Sequence, residues 1–265
     1  MTHILIIGKK SFIGSNLKNY LSNDFNLDIF SYEEVIRKNK TFIEKYTHVI
    51  NASIHPYYLY RKYNSKFDLD LNFVKKFKKN SYIYIFLNSR KIYLQKEDIK
   101  ENSKKKPKCN YGKNKLITEK LLKKKIKGKL LSLRISNIIG KKLFKNKRKS
   151  KKLFYDNFLE FKKNKKKLVF YDDFKDFITI EQFSEIIRRL VKKNTRGVFN
   201  VSLGKKIYLS EITSWLDKKF SSNLKFKVGK RDSFTLSNKK LVNAINMTIK
   251  KDQLKKFCEN LIQKK

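Results

Sequence analysis

Tyr111 and Lys115 stand four residues apart in the run Tyr111-Gly112-Lys113-Asn114-Lys115. On a helix that spacing puts both side chains on one face. There an ammonium can stabilise a phenolate and lower a tyrosine pKa that starts near ~10, which makes Tyr111 a usable acid or base near neutrality. Alone the pair is unspecific, because the chain holds 14 Tyr and is rich in Lys. A second set, Asn88-Ser89-Arg90-Lys91-Ile92-Tyr93, puts the Ser89 hydroxyl at the end of an apolar run, where it can point into the same cleft. A third, Gly8-Lys9-Lys10-Ser11-Phe12-Ile13-Gly14, follows the apolar residues 4–7. Gly8 allows a sharp turn and Gly14 a close helix approach, so that a helix N-terminus can face a pyrophosphate. Two glycines after a strand are also common turn punctuation, and Ser11 stands where the usual middle glycine would be.

Groups so far apart in sequence need a scaffold that gathers them. Apolar runs at 4–7, 27–30, 48–51, 82–88, 130–135 and 198–201 read as strands. Segments 15–21, 70–78 and 111–125 carry apolar residues at three- and four-residue spacing and read as helices. This alternation predicts an α/β, Rossmann-type doubly wound parallel sheet with helices on both faces. Ligands of such sheets lie beyond the carboxyl ends of the strands, where Gly8 and Ser89 fall. From about Lys141 the order changes. A basic run at 141–152 leads to a predicted helix at 153–162, strands at 168–171 and 177–180, and a helix at 181–191. Segments 209–220, 225–228 and 253–262 complete a smaller C-terminal lobe. The expected division is a dinucleotide-binding lobe of residues 1–140, with 179–203 returning to it, and a substrate-binding lobe of 141–178 and 204–265.

Taken in order, these pieces resemble the extended short-chain dehydrogenase/reductase superfamily, the NAD-dependent epimerase/dehydratase group that acts on nucleotide sugars. The matching residues run from Gly8–Gly14 through Asn51-Ala52-Ser53, Asn72, Ser89 to Tyr93, Glu101, Pro107, Tyr111 to Lys115 and Glu119. They continue through the segment Arg134 to Gly140, Asp176-Phe177-Ile178 and Gly197 to Val201. The resemblance implies a catalytic set of Ser89, Tyr111 and Lys115, in which Ser89 orients the substrate, Tyr111 moves the proton and Lys115 holds the nicotinamide ribose. It implies cofactor contacts from Gly8, Lys10, Ser11, Phe12, Ile13, Gly14, Ser31, Asn51, Ala52 and Ser53, and substrate contacts from Asn137 and Arg231. Ser11 departs from the pattern and is expected to crowd or hydrogen-bond the phosphate.

The end of the second predicted strand, Phe30-Ser31-Tyr32, lacks the acid that meets the ribose 2′-hydroxyl in NAD-preferring proteins. With Lys9 and Lys10 nearby, NADP(H) is favoured and NAD(H) is the alternative. Arg90-Lys91 stand where 4,6-dehydratases carry an Asp-Glu pair, and cations cannot serve as that acid and base, which disfavours dehydration. A ketosugar reductase similar to the dTDP-4-dehydrorhamnose reductase branch leads, a nucleotide-sugar 4-epimerase is the second reading, and a non-catalytic basic binding protein on the same fold is the third. Cys109 can approach the substrate or simply pack, and among the histidines only His55 falls near the cleft.

Composition sets the outer bounds. The 265 residues include 40% hydrophobic residues, enough for a sizeable core, so disorder is excluded. No run approaches the ~18 uninterrupted apolar residues of a membrane span. Residues 4–7 are too short for a secretory leader, which predicts a cytoplasmic protein. Cys109 and Cys258 cannot build a disulfide framework and are expected as free thiols, with no metal site. The formal charge of +43 suits an anionic partner. The excess is nearly all lysine beside abundant Asn, Ile, Phe and Tyr, as an AT-rich coding sequence yields. A nucleic-acid partner is therefore not expected, and a nucleotide sugar is. A homodimer is expected through helices beside the site, such as the one holding Tyr111.

Overall fold

The computed structural model describes residues 1–77, 82–144, 153–163, 169–227 and 232–263. The first half runs β1 (His3–Ile7), α1 (Phe12–Leu21), β2 (Asn26–Phe30), α2 (Tyr32–Ile36), β3 (His48–Asn51), α3 (Pro56–Tyr60), α4 (Leu69–Lys76), β4 (Ile83–Ser89), α5 (Asn110–Lys125) and β5 (Leu130–Ile135). It continues with β6 (Asn137–Ile139), α6 (Phe154–Lys163), β7 (Val169–Tyr171), β8 (Phe174–Lys175), β9 (Phe177–Thr179), α7 (Ile180–Lys192) and β10 (Gly197–Val201). The chain closes with β11 (Ile207–Tyr208), α8 (Leu209–Leu216), α9 (Lys218–Ser221), β12 (Lys225–Lys227), α10 (Lys239–Ile245) and α11 (Lys251–Gln263).

Six strands form one parallel sheet in the order β10-β5-β4-β3-β1-β2, the doubly wound arrangement the alternating pattern predicts. The chain runs outward in one direction from β1 to β2, then crosses back over β1 to β3, β4, β5 and β10. The reversal opens a crevice beside the end of β1. The central strands are apolar without alternation because helices cover both faces. On one face Ile4, Ile6, Ile85 and Leu133 pack with Leu17, Phe183 and Ile187. This cluster continues without a break into Tyr155, Phe158, Ile212, Leu254 and Cys258 of the C-terminal elements. On the other face Leu5, Ile7, Val49, Tyr84 and Phe86 pack with Phe73, Val74 and Leu122.

Several boundaries differ from the sequence expectation for a local reason. Helix α1 begins at Phe12 because Ser11 caps it, its Oγ accepting the Gly14 amide at 2.9 Å. Strand β9 stops at Thr179, whose hydroxyl and Gln182 form a capping box that starts α7 at Ile180. The single helix expected over 209–220 is broken at Asp217, which takes an extended backbone and caps α9 by accepting the Phe220 amide at 3.0 Å. Strands β7, β9 and β12 fall on expected segments, whereas their short companions β6, β8 and β11 have too few residues to show a period. The 141–152 run lies outside the described residues from 145 onward, as do positions 168 and 228 of two expected strands.

Candidate functional site

Strands β1, β3, β4 and β5 end side by side, so their following residues line one rim of the sheet. At β1 the chain turns through Gly8, whose φ of +115° suits glycine and where a Cβ would lie 2.9 Å from Ser53 Oγ and 3.1 Å from the Ala52 carbonyl carbon. The Gly8 amide reaches the Phe30 carbonyl at 2.6 Å and the Ala52 amide reaches the Ile7 carbonyl at 2.8 Å. The three strand ends are thereby laced together. Ser11, expected to meet the phosphate, makes its hydrogen bond within the loop. Its Oγ lies inside the turn, 3.0 Å from where a Gly8 Cβ would be, and engages the Gly14 amide. The amides of Phe12 and Ile13 are then the first-turn groups with no acceptor within the helix. The loop geometry fits a pyrophosphate, and Ser11 caps the helix start.

Beyond β2, Ser31 caps α2 in a capping box with Glu34. Glu34 also pairs with Lys9, and hydrogen bonds from Lys9 and the Ser31 backbone hold its carboxyl down to about 2. Of the two lysines expected to favour a 2′-phosphate, Lys9 is thus engaged by Glu34. Asn51 ends β3; its amide group donates to Asp70 at 3.0 Å while its side-chain oxygen accepts the Ser53 amide at 2.9 Å.

Ser89 ends β4 and starts a short 3-10 turn, Arg90–Ile92, its Oγ accepting the Lys91 amide at 3.3 Å. The Ser89 side chain also faces the Tyr111 phenol, whose ionised form it favours. The contact depends on Gly112. A Cβ there would stand 2.3 Å from the Lys91 carbonyl oxygen, so the first turn of α5 rests directly on the backbone after Ser89. Asn114 pins the same turn to α3 through the carbonyls of Tyr58 at 2.9 Å and Arg61 at 3.0 Å, and Asn110 binds the Tyr60 carbonyl at 2.8 Å. Lys115 follows one helical turn after Tyr111 and is 5% exposed. The three groups named from spacing and strand position are therefore brought together. Burial raises the Tyr111 pKa, while the Lys115 charge and the Ser89 hydrogen bond lower it; the net direction is upward, not downward as spacing alone predicts.

Burial is the main reason, and a residue that spacing did not single out adds to it. Asp70, on α4, is buried with Oδ2 3.4 Å from Lys115 Nζ, and its Oδ1 accepts from Asn51 at 3.0 Å and the Tyr84 hydroxyl at 2.7 Å. Burial raises the Asp70 pKa against the opposing pull of Lys115. Its sequence signal is an acid inside the apolar stripe Leu69-Asp70-Leu71-Asn72-Phe73-Val74, where a buried charge requires a partner. Asn72, matched in the resemblance, instead binds the Ser65 and Lys66 carbonyls at 3.0 and 3.3 Å.

A second buried network underlies the site. Glu119 takes a two-pronged contact from Arg134, Nε to Oε2 at 3.0 Å and Nη2 to Oε1 at 2.6 Å, and also accepts from Asn88, Ser132 and Lys123. Arg134 reaches on to the Tyr93 hydroxyl and the Glu101 carbonyl, both at 2.6 Å, and Tyr93 donates to Asn200 at 2.8 Å. Burial alone would raise Glu119, but Arg134 and Lys123 bring it to about 2. Most polar residues that carried the resemblance without an assigned role are joined here, between β4, β5, β10 and α5.

Arg90 is buried, lies over the Phe234 ring at 3.6 Å and pairs with Asp232 at 3.1 Å; Lys175 meets the same carboxylate at 3.0 Å. Asn137 lies two residues past β5 and is half-buried. His55 caps α3 and stacks on Phe67 with centroids 4.5 Å apart. Cys109 and Cys258 are both free thiols. Arg231 lies outside the described residues. No helix among the described residues is long and apolar enough to cross a membrane.

No protein-family model matches the chain, and no curated protein matches it by sequence. Solved structures do. A UDP-N-acetylglucosamine 4-epimerase from Methanobrevibacter ruminantium, in complex with UDP-N-acetylmuramic acid, superposes with a TM-score of 0.78 at 18% identity, covering 99% of this chain and 97% of that one. A dTDP-4-dehydrorhamnose reductase from Clostridium acetobutylicum gives 0.76 at 14% identity, with 99% of each chain covered. A UDP-glucuronic acid 4-epimerase from Bacillus cereus, in complex with NAD, gives 0.76 at 15% identity, covering 97% of this chain and 96% of that one. From end to end, the chain has the Rossmann-type fold of these nucleotide-sugar epimerases and reductases.

Proposed function

We propose that the protein is an NAD(P)-dependent oxidoreductase acting on a nucleotide-linked sugar, and that it works as a ketosugar reductase. The observation that carries this is the meeting of Ser89, Tyr111 and Lys115 at the strand ends, beside a glycine turn suited to a dinucleotide. Gly8, Phe12, Ile13 and Gly14 would hold the pyrophosphate, with Ser31, Asn51, Ala52 and Ser53 along the adenosine side. A nicotinamide dinucleotide bound there would supply or accept the hydride. Tyr111 would give its phenolic proton to the sugar oxygen, while Ser89 orients that oxygen and Lys115 offsets the charge left on the phenol. Arg90 supports reduction over dehydration, since a cation engaged by Asp232 and Phe234 cannot serve as the acid or base of an elimination. Lys9 is already paired with Glu34, which weakens the case for NADP(H), and the likeness to a structure in complex with NAD supports NAD(H).

A 4-epimerase is the second reading, favoured by the likeness to the M. ruminantium epimerase. Incubation with 4-keto and 4-hydroxy nucleotide sugars separates the two. A reductase consumes reduced cofactor stoichiometrically, seen as lost nicotinamide absorbance, whereas an epimerase interconverts sugars with no net absorbance change. A protein that turns over neither sugar set, and whose binding to polyanions collapses with salt, would refute both readings.

A further inference from the structure

Lys115 is shared between two acidic groups. One is the Tyr111 phenol on its own helix; the other is Asp70 on α4. Asp70 cannot swing away, because its Oδ1 is held by Asn51 and Tyr84 at the ends of two different contacts while Oδ2 faces the ammonium at 3.4 Å. On its other sides the ammonium meets aromatic faces, 4.4 Å from the Phe86 centroid and 5.6 Å from that of Tyr58. We propose that Asp70 is a positioning residue, which fixes the Lys115 ammonium between α4 and α5 and, by sharing its charge, sets the pH at which Tyr111 exchanges its proton. This rests on the reading of Tyr111 as the proton-transfer group.

Among the charged groups around the phenol, Asp70 is the foremost that opposes Lys115, and it adds to the larger effect of burial. Facing Tyr111 and Asp70 are Lys115 and Cys109 from the α5 end, Ser89 and Tyr84 from β4, Tyr58 from α3, Tyr32 from α2 and Asp68 from α4. Asp68 is engaged elsewhere, accepting from Thr118 at 2.6 Å, Tyr63 at 2.9 Å and the Leu71 amide at 3.0 Å. Asp70 pushes Tyr111 in the same direction as burial does, and Lys115 pushes against both. Replacing the carboxylate by an amide of equal shape removes the opposing charge and leaves Lys115 acting on the phenol alone.

The test compares wild type with Asp70→Asn. Tyr111 ionisation is followed by NMR of protein labelled at the tyrosine Cζ carbon, with the resonance assigned through Tyr111→Phe; no cofactor or turnover is needed. The midpoint in Asp70→Asn should fall by about one pH unit, and the limb of the turnover profile governed by Tyr111 should move to lower pH with it. An unchanged or higher midpoint overturns the proposal. In wild type, the buried Lys115 ammonium should give a persistent nitrogen-proton correlation at pH 6, assigned through Lys115→Met. Its absence overturns the proposal even if Asp70→Asn does not fold. Absence of turnover with any nucleotide sugar overturns the proposed function instead, and leaves the NMR result to decide the role of Asp70.

Discussion

Tyr111 sits in the first turn of α5, which backbone contacts and Asn114 hold in place, so its phenolic oxygen can be removed without loss of the fold. Tyr111→Phe should lower turnover about 10²- to 10⁴-fold while leaving the circular dichroism spectrum and the melting temperature close to wild type; retained turnover would remove Tyr111 from the reaction. At Lys9, substitution by Ala frees Glu34 to stand alone near the β2 end. An unpaired carboxylate there repels a 2′-phosphate, so Lys9→Ala should weaken NADP(H) binding more than NAD(H) binding by calorimetry. The Tyr111–Lys115 pair was legible in the sequence because helical spacing is a local property. Asp70 was not, since its partner is 45 positions away and only the packing of α4 on α5 brings the two together.

Among the elements, the placement of α5 matters most. Its first turn lies on the backbone after Ser89 only because residue 112 has no side chain. Gly112→Ala should cost about 1–3 kcal/mol in chemical denaturation, and should lower turnover while the sheet remains intact. A stable, fully active Gly112→Ala protein would show that α5 can shift without consequence. The outer face of the same helix bears on assembly. Lys113, Lys120, Lys123 and Lys124 are exposed there, so a homodimer pairing these helices brings like charges together. Sedimentation should show such a dimer strengthening as salt is raised; a dimer that weakens with salt would place the contact elsewhere. The six sheet strands were readable to within about a residue at either end, since buried parallel strands leave unbroken apolar runs. The paired strands β8 and β11 were not, because two residues carry no pattern.

Across the whole molecule, the buried Glu119–Arg134 contact links stability to acidity. Glu119 titrates near 4.5 when unfolded and at about 2 when folded. Its stabilising contribution is therefore complete above the higher value and is lost as pH falls toward the lower one. Melting temperatures should fall steeply between these two values, and Glu119→Gln should flatten that part of the curve while lowering stability at neutral pH. A curve of unchanged slope in Glu119→Gln would remove Glu119 from acid unfolding. The formal charge of +43 acts independently of this contact, through repulsion spread over the surface. Its sign was plain in the sequence. Which polar residues turn inward to pair was not, because the buried network joins residues from Asn88 to Asn200 through folding alone.

The approach of α5 to the Lys91 carbonyl has a consequence for how tolerant the reaction centre is to change. Because main chain rests on main chain at that point, the separation of phenol and hydroxyl is inherited from the scaffold and owes little to neighbouring side chains. Repainting the pocket walls to accept a different sugar should thus leave the proton-transfer geometry undisturbed, so that specificity and reactivity can drift apart in a lineage or be redesigned one at a time.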